Sequence, residues 1–248
     1  MNRYLFYLAF YLAAAVCLLT ASCGNKNKAE ETQKDTTNEN VGDSTLYGLA
    51  CEGCTDSVLV FLSFNGGDPV TFDIIEAVRN KKVIGHPETG DWVGVVLNAN
   101  DKKKADMVID LDQLKGRWVY MAMPERNKEY SALTEKQFDT EAADSMFNRL
   151  MVPREQGFAL KRSHLAEPIG SHFKRNDMKK DPVVYPEVKF YSEWYINNGK
   201  LLLVARNPLS KQKDKANITA RDTAEFIFMM KDSLQLKFKD GIRSYYRK

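Results

Sequence analysis

Two cysteines, Cys51 and Cys54, stand three positions apart in the stretch LACEGCTDSVLVFLSF, directly ahead of apolar and β-branched residues. A Cys-x-x-Cys pair supports three chemistries: thiol–disulfide exchange, half of a soft-metal site, or a disulfide that staples a turn. Exchange needs a depressed thiol pKa, which a helix N-terminus supplies through the positive end of its dipole. The residues after Cys54 read as strand, so that mechanism loses its physical basis. A zinc site wants three or four protein ligands, and the nearby histidine, His86 in IGHPETG, reads as a turn residue. The other histidines sit in the adjacent pairs Ser163-His164 and Ser171-His172. A nucleophile and its base must converge in space, and neighbours along a strand point to opposite faces. There is no nucleophile elbow, no His-x-x-x-His and no phosphate-binding glycine loop. The expectation is a protein with no catalytic residue, no metal ligand set and no cofactor.

Which role the cysteines take depends on the compartment. Residues 1–22 carry one positive charge, Arg3, then a long apolar run and a small-residue end, the layout of a secretory signal peptide. The run over 4–19 is short against the roughly 20 apolar residues of a membrane span. Residues 23–45 form the next segment. After Cys23 it holds one aliphatic side chain larger than alanine before Thr45, that of Val41, too little apolar surface to offset ordering, so a disordered tether is expected. The chain has four cysteines. Cys17 leaves with the signal, and in an oxidising compartment thiols as close as Cys51 and Cys54 pair. The expected disulfide constrains the unfolded chain and supports a domain of about 65 residues, whose core alone is marginal. Redox or metal sensing, or neither role, are the alternatives.

Lysine and arginine total 36 against 33 acidic residues. Such balance leaves no basic field for phosphates and disfavours nucleic-acid binding. Eleven tyrosines, thirteen phenylalanines and three tryptophans favour strands and can line apolar pockets. Strands are expected over 57–64, 91–98 and 106–111, with shorter ones at 70–72 and 82–84; 74–79 reads equally as a helical turn or as strand. Residues 46–112 therefore form a small β domain. Residues 113–248 form a second β domain with one inserted helix over 134–150. Thr134 and Gln137 make a capping box there, and Phe138, Ala142, Met146 and Leu150 make the apolar stripe. Strands follow in GFALKR, VKFYSEWYI, KLLLVAR, TAEFIFMM, SLQLKF and IRSYYRK, with a tight turn at Asn197-Asn198-Gly199. The fold class expected is mostly β: a small OB-like barrel, then an antiparallel β-barrel.

Four resemblances sharpen this reading. Leu19-Thr20-Ala21-Ser22-Cys23 resembles a bacterial lipobox, which implies that Cys23 is lipidated and becomes the mature N-terminus. The absence of aspartate directly after Cys23 is, by similarity to other lipoproteins, an outer-membrane feature. Gly116-Arg117-Trp118 resembles the G-x-W signature that opens the first lipocalin strand, and the run from GFALKR to the terminal YYRK resembles bacterial lipocalin-like lipoprotein domains. The resemblance implies that Trp118 closes one barrel end under an arginine of the last strand, Arg243 or Arg247, through cation–π attraction. YGLACEGCTDSVLVFL is similar to the Cys-x-x-Cys segment of NlpE-type outer-membrane lipoproteins, a family linked to copper and envelope-stress sensing. Asp-Thr and Asp-Ser pairs in the tether resemble an O-glycosylation signal of bacterial lipoproteins, at Thr36 and Ser44.

In such a barrel Phe158, Phe190, Trp194, Leu202, Phe226, Phe228, Leu236 and Phe238 are the candidates for an inward face or pocket lining. The expected partners are a membrane, reached through the lipid anchor, and a small apolar ligand or an envelope protein. The alternatives are a copper, redox or envelope-stress sensor acting through Cys51 and Cys54, and a scaffold whose barrel is filled.

Overall fold

A computed structural model of the chain describes residues 43–128, 130, 140–170, 181–207 and 217–248. The expectations for the signal segment, for Cys23 and Thr36, for the capping box at Thr134 and for Ser171-His172 lie outside the described residues.

The first sheet is built from β1 (Thr45–Ala50), β2 (Val58–Ser63), β3 (Val70–Asp73), β4 (Val83–Ile84), β5 (Trp92–Leu97) and β6 (Ala105–Asp110), in the order β3-β2-β1-β5-β6-β4. Its pairings are antiparallel except for β4 beside β6. The Asp73 N–H donates to the Lys103 carbonyl at 2.9 Å, so β3 meets the chain just ahead of β6 and the sheet curls on itself. The undecided stretch resolves as a helix, α1 (Ile75–Arg79), which buries Ala77 against Leu59, Phe61, Phe72, Val93, Val95 and Val108. Gly48 is required beneath that core, because a Cβ there would lie 2.2 Å from the Leu62 carbonyl oxygen and 2.6 Å from the Phe61 ring.

The chain then passes without a linker into α2 (Leu111–Leu114) and the second sheet. That sheet contains β7 (Gly116–Ala122), β9 (Arg154–Leu160), β10 (Ala166–Ile169), β12 (Glu193–Asn197), β13 (Lys200–Arg206), β14 (Ile218–Met229), β15 (Ser233–Phe238) and β16 (Gly241–Arg247). Its eight strands run in the order β10-β9-β7-β16-β15-β14-β13-β12, all antiparallel. The two edge strands nearly meet. Ala166 N–H donates to the Ser192 carbonyl at 2.9 Å and Trp194 N–H to the His164 carbonyl at 2.8 Å, so the sheet is an almost closed barrel with few unpaired edge groups. The β12–β13 hairpin turns at Asn198 (φ 47°) and Gly199 (φ 75°), the left-handed pair that a two-residue I′ turn demands. Outside the barrel, β8 (Glu125–Arg126) pairs with β11 (Val183–Val184).

The described part of the inserted helix is α3 (Thr140–Leu150). Its buried anchor is Phe147, not Met146 or Leu150, both of which are exposed. The reason is a local partner: the Arg126 guanidinium lies 4.9 Å from the centre of the Phe147 ring.

One apolar core joins the two sheets. Ile84 and Ile109 of the first and Leu111 and Leu114 of α2 belong to the same buried cluster as Trp118, Trp194, Leu201 and Leu234. The Tyr47 hydroxyl of β1 donates to the Ile196 carbonyl of β12 at 2.7 Å. At the hinge between β6 and α2 sits Asp110, 2% exposed, whose carboxylate accepts the Gln113 N–H at 2.8 Å and so caps α2. Burial pushes its pKa up to about 6, and the neighbouring charges of Asp91 and Asp112 add to the rise although the Gln113 bond opposes it.

The sign of the consequence follows from proton linkage. Between about pH 4 and 6 the folded chain holds more protons at Asp110 than the unfolded chain does, so this group's contribution to stability falls as pH rises through that window. Asp110→Asn keeps an oxygen acceptor for Gln113 and removes the ionisation. Urea titrations from pH 4 to 8 are expected to show the variant gaining on the parent as pH rises, by on the order of 2 kcal/mol above pH 7.

Candidate functional site

The barrel has two unlike ends. At the first, Gly116 opens β7 at φ 146°, and a Cβ there would lie 2.2 Å from Nη1 of Arg247. Trp118, two residues on, is fully buried, and its Nε1–H donates to the Leu114 carbonyl at 2.7 Å. Arg247 lies over the indole with Cζ 4.2 Å from the ring centre. Its Nη1 donates to the Lys115 carbonyl at 2.8 Å, its Nη2 to the Gln113 carbonyl and its Nε to the Lys231 carbonyl at 2.6 Å. A planar fork with five donors can satisfy three carbonyls while stacked on a ring, which an ammonium cannot. The strands are drawn together here: a Cβ on Gly157 of β9 would lie 2.0 Å from the Trp118 carbonyl oxygen.

Of the two arginines proposed for this floor, only Arg247 takes the role. It is opposite Trp118 in the β16–β7 register. Arg243 lies four residues earlier on β16, which is about 13 Å along an extended strand. It stacks instead on Phe238, with Cζ 4.9 Å from the ring centre, and bonds to Asp240.

Five of the eight candidate interior residues, Phe158, Trp194, Phe226, Leu236 and Phe238, do join the main core. The other three do not. Phe228 is 38% exposed because the β14–β15 register shifts between Phe226 and Phe228, which breaks the alternation. Leu202 is buried, but on the opposite face, in a small cluster with Tyr195 and Val204. Phe190 precedes β12 and is 47% exposed.

The second end, remote from Trp118, is where inward positions turn polar. Tyr120 donates to Gln156 Oε1 at 3.1 Å, and Gln156 Nε2 donates to the Pro186 carbonyl at 3.0 Å. The Tyr120 ring meets Tyr245 edge-on with centres 5.5 Å apart, and Tyr245 packs on Phe158 at 5.1 Å. Across the barrel, Asp222 accepts from Lys189 Nζ at 2.7 Å and from the Tyr191 hydroxyl. Burial raises the pKa of Tyr191 and Tyr245 far above the usual phenol range, and the Asp222 carboxylate adds to the effect on Tyr191. Asp222 itself stays below the usual carboxylate range: burial opposes ionisation, but the bonds from Lys189 and Tyr191 outweigh it. β7 and β16 pair only at Trp118–Arg247 and Val119–Tyr246, so their ladder does not extend to this end. The sequence singled out Arg243 here but not Tyr120, Gln156, Tyr191, Asp222 or Tyr245. Strand alternation in IRSYYRK, which puts residues 243, 245 and 247 on one face, was the available signal for Tyr245.

Cys51 and Cys54 are free thiols in this structure, not the expected disulfide. Each sulfur is turned to the backbone. Cys54 Sγ lies 3.0 Å from the Cys51 carbonyl oxygen and accepts from Val60 N–H at 3.3 Å, while Cys51 Sγ faces the Leu49 carbonyl. The turn is made by Gly53 at φ 95°, and Cys54 packs partly against the first sheet's core. Among the described residues no three His, Cys, Asp or Glu side chains gather as a metal site. His164 is held by aromatic rings, stacked on Tyr195 at 4.9 Å and near Trp194 and Trp92 at 5.4 and 5.7 Å, within the turn whose carbonyl helps close the barrel. The His86 N–H is bound by the Gln113 side chain.

No protein-family model, no curated protein and no solved structure matches this chain.

If Trp118 and Arg247 hold the floor together, Trp118→Ala should cost about 3–5 kcal/mol in equilibrium unfolding. Arg247→Lys should cost about 1–3 kcal/mol, because an ammonium cannot reach three carbonyls from above an indole. Arg243→Lys, at the other end, should change stability by less than about 1 kcal/mol.

Proposed function

We propose that this chain is a lipid-anchored envelope lipoprotein whose lipocalin-like barrel binds a small, largely apolar molecule at the end opposite Trp118. The observation that carries the reading is the difference between the barrel's ends: one sealed by Trp118 and Arg247, the other left with half-buried inward polar groups at Tyr120, Asp222 and Arg243 beside the buried Tyr245. An apolar wall with a few convergent polar groups is the usual make-up of a small-molecule site. Binding rather than catalysis is proposed because the two serine–histidine pairs of the sequence are neighbours on the chain rather than convergent groups, and His164 is committed to an aromatic stack. The address rests on the lipobox-like segment ending at Cys23 and on the polar segment after it.

A second reading is favoured by one feature. Cys51 and Cys54 are thiols three residues apart on one exposed turn, an arrangement that suits a redox- or copper-responsive element in an oxidising compartment. It would coexist with ligand binding, since the thiols belong to the first sheet and the polar mouth to the second.

Native mass spectrometry of the full-length protein extracted from membranes tests both address and pocket. The expected spectrum shows a lipid mass on Cys23 that is lost in Cys23→Ala, and a non-covalent small molecule that leaves on activation. An unlipidated protein would remove the address; a chain with no retained or exchangeable ligand would favour a filled scaffold. Equal copper binding by the parent and by Cys51→Ser would remove the sensor reading.

A further inference from the structure

Arg243 faces the barrel interior yet has no part in the floor. It shares the inward face of β16 with Tyr245 and Arg247, and its side chain is 33% exposed. A cationic group on the inward face of an otherwise apolar barrel is costly unless it is paired or used. Two acids lie near it: Asp222, whose carboxyl pKa the Arg243 charge helps to hold down, and Asp240. Asp222 is already engaged by Lys189 and Tyr191. Asp240, which Arg243 does bond, sits three residues back at the β15–β16 turn and is 57% exposed. A pair so open to water contributes little, and a better anion can displace it.

We infer that Arg243 is the anion-binding point of the barrel mouth, and that the ligand is an amphiphile with a carboxylate or phosphate head and an apolar body. This inference rests on the binding function proposed above. The guanidinium is seated on the Phe238 ring, which restrains the fork that planar, two-oxygen anions fit best. Tyr245 stands beside it as a neutral phenol, its oxygen accepting from the guanidinium and its O–H left to donate. The apolar body has surface to meet on the same side of the barrel. Phe158 and Phe226 face inward, and Met123 and Val152 are exposed on the loops that end there, at 53 and 55%. Exposed apolar groups around an opening mark binding surfaces.

The test is isothermal titration of the full-length, delipidated protein with decanoate, decyl phosphate and decanol, which share one chain and differ in the head. Decanoate or decyl phosphate is expected to bind at least about tenfold more tightly than decanol, and whichever anion binds better identifies the head. Arg243→Gln should remove that preference while leaving decanol binding within about twofold. Arg243→Lys should keep part of it, and Asp240→Asn, which frees the guanidinium, should increase it. The unfolding midpoint of each variant reports whether it folds. Decanol binding as well as decanoate, or a folded Arg243→Gln that keeps the preference, would overturn the anion inference and leave barrel binding standing. No binding of any of the three would overturn both.

Discussion

The contact between the Arg247 guanidinium and the Trp118 indole gathers more of the chain than any other pair of side chains described. Through its three carbonyl bonds Arg247 fixes residues 113 and 115 ahead of β7 and residue 231 ahead of β15, while the ring below it bonds back to Leu114. Three separate segments converge on one plane. Gly157 has no room for a side chain against the Trp118 backbone, and the glycine before the tryptophan is required both by its φ of 146° and by the guanidinium above it. Because Arg247 on β16 is 132 residues along the chain from Lys115, whose carbonyl it binds, the barrel can seal only once that strand has docked. That makes closure a long-range, late-forming contact in any folding order.

The same residues couple the barrel to the first sheet. Leu111 and Leu114 line the core shared by both, while Gln113 gives its carbonyl to Arg247, its N–H to Asp110 and its side chain to the His86 N–H. Four helical residues thus join the two sheets. The buried Asp110 charge is the visible cost, tolerated because its carboxylate caps α2 at the point where the backbone changes direction.

The strands and the Asn198-Gly199 turn were legible in the sequence because each rests on local chemistry, alternation and φ preference, whereas the tryptophan floor was expected only through the resemblance of Gly116-Arg117-Trp118 to the lipocalin signature. What could not be read depends on register or on distant partners. Arg243 and Arg247 have the same strand parity, so only the β16–β7 pairing decides which one meets Trp118. Phe228 was misplaced by a bulge, and bulges invert parity without leaving a mark in composition. Leu202 is as apolar as Leu201 and Leu203, yet it faces the other way, since β13 is covered on both sides. In α3 the helical stripe pointed to Met146, whereas the Arg126 cation selects Phe147. The thiol state of Cys51 and Cys54 was inferred from a compartment, whereas the structure places each sulfur by its backbone neighbours.

Filling and function pull against each other within a small barrel, and the two ends divide the task. Eight strands enclose an interior that side chains can fill or that can admit one small ligand. The two tryptophans and Leu201, Leu203, Leu234 and Leu236 are completely buried along the inward face, so stability is concentrated in them. Toward the mouth the inward residues become Tyr120, Asp222 and Arg243, polar and partly wet beside the buried Tyr245, where leucine would have cost nothing in desolvation. Glu193 and Arg206 show what a charge pair in this protein looks like when it serves structure: both side chains are about nine-tenths buried and bonded at 3.0 Å. Arg243 and its turn carboxylate are unlike that, open to water and joined across a single turn. A charge kept accessible on an inward face, beside rings that orient it, is an arrangement that packing alone does not favour, and binding does.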